Sequence, residues 1–133
     1  MEIKIRSFKT GAVIWVGDAP TLRAAVEDAV EAGFCLAGAD LAGADLAGAK
    51  LAGVNLRDSN LLGANLTAAD LVGADLTKAD LRWTALCEAD LRYACLYGAG
   101  LVEAKLTGAR LAGANLQCAV FGDADLTGAV FDE

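Results

Sequence analysis

Leucine returns at every fifth residue from position 36 onward, and this stride constrains the fold more than any other feature. It fills 36, 41, 46 and each fifth position to 116, then 126; Phe121 and Phe131 keep the register, making 20 slots without an insertion. Two residues before the slot, Ala stands 16 times, the exceptions being Phe34, Val54, Ser59 and Thr84. One residue before it, Asp or Asn appears eleven times; two residues after it, Gly appears ten times. A helix turns about 100° per residue, so successive leucines would step roughly 140° around it. A strand has period two, so a five-residue step alternates its faces. Neither element buries every slot on one side. Ala and Leu favour helix, but regularly spaced glycines, each costing about 1 kcal/mol, oppose a helical solenoid.

The remaining solution is a chain that turns a corner every five residues. Four corners close a square, so one coil takes about 20 residues and the repeat makes about five coils. Leu and the small Ala before it point inward; the other three positions point outward. Gly suits turns with positive φ, and Asp or Asn can bond locally to the turn backbone. At a strand-like spacing of about 4.8 Å, five coils stack to roughly 24 Å.

The pattern A(D/N)LxG, as in Ala39-Asp40-Leu41-Ala42-Gly43 or Ala64-Asn65-Leu66, resembles that of the pentapeptide-repeat family. The resemblance implies an all-β solenoid, a right-handed quadrilateral β-helix. Two segments are expected: a cap over 1–33 and the repeat over 34–133. In the first, Ile3 and Ile5, with Phe8, alternate with Lys4 and Arg6; Thr10-Gly11 marks a turn and Ala12–Val16 a second strand, together a β-hairpin. Asp18-Ala19-Pro20-Thr21 opens a helix with one apolar stripe, Leu22, Ala25, Val26, Ala29 and Val30, stopped by Gly33. Hairpin and helix are expected to pack on the first coil, because solenoid ends need capping. The preface is also similar to those of short bacterial and phage members of the family.

At the other end, Phe121 and Phe131 replace Leu, with Val120 and Val130 beside them where polar residues stand elsewhere. An open coil edge is a template for pairing, so these four residues are the expected interface of a C-terminal homodimer.

Composition narrows the chemistry. The chain has no His, which excludes Ser-His-Asp and Cys-His catalysis and His-ligated zinc. Eleven basic against 18 acidic side chains give a net charge of −7, which disfavours direct nucleic-acid binding. Mean hydropathy is positive, at +0.43. Yet the longest uncharged stretch, Leu111 to Gly122, is twelve residues, short of the roughly 20 that span a membrane. No apolar segment follows the charged MEIKIRSFK, so no secretory signal is read and a soluble cytoplasmic protein is expected. Cys35, Cys87, Cys95 and Cys118 show no CxxC pair and no 20-residue stacking, so free thiols are expected, with no metal and no cofactor.

Inward positions hold no acid or base, so any site lies outside. Asp70 and Asp90 stack one coil apart as a paired carboxylate, flanked by Lys50 and Arg110; a solvated ladder of local ion pairs explains them better than catalysis. The least repetitive segment carries Arg82, Trp83, Arg92, Tyr93 and Tyr97 outward, with Leu62 and Val102 in the column of Arg82. An aromatic and an arginine beside apolar side chains are typical interface anchors, so these seven residues form the candidate partner surface. The expected function is non-catalytic: a rigid β-helical surface presented to a protein partner. The alternative comes from the resemblance. Some relatives mimic duplex DNA as acidic C-terminal dimers, bind DNA gyrase and give fluoroquinolone resistance. Here Lys50, Arg57, Lys78, Arg82, Arg92, Lys105 and Arg110 interrupt the acidic surface.

Overall fold

The computed structural model describes residues 1–132. Strands β1 (Glu2–Arg6) and β2 (Val13–Asp18) form an antiparallel hairpin with Ile5 opposite Trp15 and a bulge after Ile5. Ile5 is buried, and the Trp15 ring folds back over Gly17 so closely that a Cβ there would lie 2.2 Å from its Cη2. Phe8 departs from the expected alternation. The chain turns at Ser7, where the Gly11 N–H donates to Ser7 O at 2.8 Å, and Phe8 is left exposed beneath Lys9. Helix α1 (Leu22–Glu31) starts where the Thr21 hydroxyl accepts from the Ala24 N–H at 3.1 Å, and Gly33 leaves it at φ +80°. Its Ala25, Val26 and Ala29 are buried.

An antiparallel bridge from Ser7 to Ala39 joins the cap to the first coil, and within the repeat every bridge is parallel and joins residues 20 apart. Four ladders result: Asp40–Asn60–Asp80–Gly100–Val120, Asp45–Asn65–Ala85–Lys105–Asp125, Lys50–Asp70–Asp90–Arg110–Val130 and Asn55–Asp75–Cys95–Asn115. Each pentapeptide is one side of a four-sided coil, and the sides are named here by their first leucine: the Leu41, Leu46, Leu51 and Leu36 faces. A side contains one bridged residue rather than an extended strand. The turn takes the rest. The Ala44 N–H donates to Leu41 O at 3.1 Å, and Gly43 between them has φ +67°, the marks of a type II turn.

All eleven Asp and Asn residues preceding a leucine slot do the same local work. Each Oδ1 accepts from the N–H two residues on, as Asn65 does from Thr67 at 3.1 Å and Asp70 from Val72 at 3.1 Å. This satisfies the one turn amide that bonds neither a neighbouring coil nor the turn's own carbonyl. Inside, the Leu and Ala columns form one continuous core from Leu36 to Leu111, joined by Ile5, Val26 and Ala29 of the cap.

The cap completes the first coil. Within the stack, the Asn60 N–H donates back to Ala39 O at 2.9 Å. The first coil has no predecessor, and the preceding segment supplies substitutes. Arg6 O accepts from the Asp40 N–H at 2.7 Å and Glu27 Oε2 from the Lys50 N–H at 2.8 Å. Arg23 Nη1 donates to Ala47 O at 3.0 Å. Backbone groups buried without partners are costly, which explains why hairpin and helix sit where they do.

Two inward Ala positions hold hydroxyls, with opposite consequences. Thr84 Oγ1 donates to Leu81 O at 2.7 Å, whereas Ser59 Oγ, 1% exposed, has no partner among the described residues. An unmet buried hydroxyl costs about 1–3 kcal/mol. Ser59→Ala is therefore expected to raise the urea midpoint, and Thr84→Ala to leave it unchanged or lower it. A lower midpoint for Ser59→Ala would contradict the burial argument.

Candidate functional site

The outward positions of each face come from three places in the repeat: the bridged residue and the two turn residues. In every side from Leu36 to Leu126 except that of Phe121, the second turn residue has positive φ, where Gly is at ease and other residues are strained by about 1–2 kcal/mol. Eight non-glycine residues take it: Asp58, Ala68, Lys78, Trp83, Glu88, Tyr93, Glu103 and Cys118. Trp83, at φ +62°, is 64% exposed. A bulky ring held outward in a glycine conformation is the clearest departure from the repeat.

The candidate partner surface divides over three faces. Leu62, Arg82, Trp83 and Val102 share the Leu41 face, where the Trp83 N–H donates to Val102 O at 3.0 Å and Arg82 O accepts from the Gly63 N–H at 2.9 Å. Arg92 and Tyr93 lie on the opposite Leu51 face, and Tyr97 on the Leu36 face. Tyr93 packs along its own column: a Cβ on Gly113 would lie 2.4 Å from Tyr93 Cδ1. Beneath Trp83 the same place holds Glu103. The candidate dimer residues are also spread. Val120 and Val130 are exposed on opposite faces, Phe121 is half-buried against the core, and Phe131 is exposed.

Arg82 is less available than its outward position suggests. Its Nε and Nη2 each donate to the Asp80 carboxylate at 2.8 Å, two residues back on the same face. Arg92 repeats this with Asp90 at 2.8 Å, and Arg110 Nη1 approaches the same carboxylate at 3.6 Å. The repeated D-L-R, Asp80-Leu81-Arg82 and Asp90-Leu91-Arg92, was the available sequence signal for these forks. Asp90 is thereby held below the usual carboxylate range, chiefly by the Arg92 hydrogen bonds and further by the Arg110 charge. A general acid needs the opposite shift.

Three more carboxyls are lowered. The Arg82 fork does it for Asp80. At Asp75 desolvation pushes upward, but the Thr77 hydroxyl and amide and Arg57 outweigh it. The Thr127 hydroxyl lowers Asp125. Depressed folded pKa values give stability that is present above the unfolded value, about 3.9, and lost as pH falls through the folded values. The urea midpoint is thus expected to be flat from about pH 7 to 5 and to drop below about pH 4. Asp80→Asn with Asp90→Asn should flatten that drop; an unchanged slope would show that the forks do not supply it.

The four cysteines are free thiols. Cys95 Sγ lies 3.2 Å from Thr77 Oγ1, and the neighbouring Cys118 thiol raises the pKa of the Tyr97 phenol. Among the described residues no group of His, Cys, Asp or Glu is arranged to hold a metal, and no helix is long and apolar enough to cross a membrane. The clefts are shallow; one of about 420 Å³ is lined by Arg92, Arg110, Ala112, Val130 and Asp132.

Comparison with known proteins gives one consistent result. The sequence profile described as pentapeptide repeats matches in eight copies over residues 35–71, 64–101 and 94–132. No curated protein matches. Among solved structures, the pentapeptide repeat protein Rfr23 from the cyanobacterium Cyanothece 51142 is 31% identical over 63% of this chain and 65% of its own, with a TM-score of 0.48. A pentapeptide repeat protein from the Arabidopsis thaliana thylakoid lumen is 34% identical over 85% of this chain and 68% of its own, with a TM-score of 0.40. The plasmid-mediated fluoroquinolone resistance protein QnrB1 is 24% identical over 68% and 59%, with a TM-score of 0.42. The chain thus spans just under two thirds of Rfr23. With a 20-residue coil period, five-residue sides closed by turns and a profile match across the whole repeat, this chain belongs to the pentapeptide-repeat family.

Proposed function

We propose that the chain is a non-catalytic interaction protein of the cytoplasm, a right-handed coil stack that presents one of its faces to a protein partner. The observation that carries this is Trp83: a large ring, 64% exposed, at a strained turn position of a backbone hydrogen-bonded to coils on both sides. Its neighbours Leu62 and Val102 add apolar surface, and Arg82 is fixed beside them. Rigid aromatic anchors among energetically quieter residues are how interfaces concentrate binding energy. The test is a photo-cross-linker at position 102 in living cells. A discrete cross-linked protein, lost in Trp83→Ala, is expected; cross-linking undiminished by Trp83→Ala would remove the face.

The exposed Val120, Val130 and Phe131, with half-buried Phe121, support a homodimer through this end of the stack. Light scattering after size exclusion is expected to give twice the 13.6 kDa chain mass, and Phe131→Glu the mass of one chain. Equal masses for the two proteins would sink the dimer. The DNA-mimic alternative asks for carboxylates repeated down a column, and each ladder here mixes them with neutral or basic residues. Inhibition in a gyrase supercoiling assay would favour that alternative.

A further inference from the structure

We propose that the Leu41 face docks a cationic, partly apolar protein segment, with Trp83 covering one of its side chains and Glu103 and Asp123 pairing with its lysines or arginines. This rests on the reading of the chain as an interaction protein and names the partner's chemistry.

Charge is not shared equally among the four faces. Among the described residues, Lys50, Arg92 and Arg110 balance Asp70, Asp90 and Asp132 on the Leu51 face, and Arg57 and Lys78 balance Asp58 and Asp75 on the Leu36 face. The excess acid lies on the two adjoining faces. The Leu46 face has Asp45, Glu88 and Asp125 against Lys105; the Leu41 face has Asp40, Asp80, Glu103 and Asp123 against Arg82 alone. Because Arg82 and Asp80 close on each other at 2.8 Å, the carboxylates left over on the Leu41 face are Asp40 at the cap and Glu103 and Asp123 beyond Trp83.

Trp83 and Glu103 occupy the same turn place in successive coils, both at φ +62°, about 4.8 Å apart at strand spacing. Asp123 follows one coil on, in a turn whose positive φ has passed to Gly122 at +46°. Neither Glu103 nor Asp123 has a hydrogen bond or ion pair with another described residue. On the same face lie the apolar Leu62 and Val102, either side of Arg82 in one column, and Val120 in the neighbouring ladder, 56% exposed. A ring, two uncommitted carboxylates and apolar side chains interspersed on one face suit a chain that alternates basic and apolar side chains. Cations are drawn to the face of an indole, and opposite charge steers and orients the encounter. The same carboxylates repel phosphate, and they repel a second copy of this face.

The test uses the full chain with Trp15→Phe, so that Trp83 is the one tryptophan and can be excited selectively over Tyr93 and Tyr97. The probes are a ten-residue peptide alternating lysine with leucine and its glutamate counterpart, at about 50 mM salt. The lysine peptide is expected to shift Trp83 emission saturably, and the glutamate peptide not at all. Glu103→Gln with Asp123→Asn should weaken the affinity roughly tenfold. Asp58→Asn with Asp70→Asn removes the same charge from other faces and should change it by no more than about twofold. Equal losses in the two double variants would mean attraction by net charge alone, and no saturable shift would mean no cationic site; either overturns the proposal. A partner cross-linked at position 102 despite such a result would leave the interaction reading standing and remove only its cationic chemistry.

Discussion

Leu76→Ala is expected to cost about 2–5 kcal/mol, the largest effect of any conservative truncation considered. Leu76 is fully buried in the column of Leu56 and Leu96, with packed coils above and below. Coils so constrained cannot collapse into the vacated space, so the cavity persists and adds to the lost transfer energy. Leu126, in the last coil, is only half-buried, and its truncation should cost less than half as much. Urea unfolding followed by circular dichroism measures both. Equal losses at 76 and 126 would show that the columns do not act as one continuous core, since interior units have two neighbours and end units one.

The second large effect is at Gly113. It sits at φ +72°, and a Cβ there would lie 2.4 Å from Cδ1 and 2.6 Å from Cε1 of Tyr93, one coil earlier. Gly113→Ala therefore combines left-handed backbone strain with overpacking against a ring, together about 2–4 kcal/mol. The two parts can be separated. In a Tyr93→Ala background the collision disappears and only the strain of roughly 1–2 kcal/mol should remain. Gly43 offers the control: it has φ +67° and nothing within 4 Å of its Cβ, so Gly43→Ala should cost the strain alone. A coupling energy near zero between positions 93 and 113 would show that the ring swings aside freely.

Three residues of the repeat tell how much of this was readable beforehand. Leu41 and its successors declared themselves, because only a corner every five residues buries them all. Asp70 declared its role too: a short acceptor before a turn has a nearby amide to bond, and it does. Phe8 did not, because alternation cannot show where a strand yields to a turn whose amide bonds the first coil. The site was less legible. A 20-residue stride places Leu62, Arg82 and Val102 in one column. Yet Arg82 folds back along the surface onto Asp80 through a side-chain geometry that spacing alone leaves open. The same stride puts Glu103 and Asp123 beneath Trp83. They matter because their carboxylates remain uncommitted while those of Asp80 and Asp90 are taken, and that is settled by distances between side chains.

The sequence by itself determined the period, the inward columns, the positions of the turns and the presence of a hairpin and helix ahead of them. These depend on short-range chemistry: apolar spacing, the φ preference of glycine and the reach of Asp and Asn to the amide two residues on. Tertiary structure alone decided how the cap docks, through Arg6, Arg23 and Glu27 onto backbone groups of the first coil that have no earlier coil to meet. It also decided which outward charges cancel and which remain, and so which face is left acidic around Trp83. Ion pairing and coil-to-coil contact depend on distances between residues far apart in the chain, and those distances exist only once the coils have stacked.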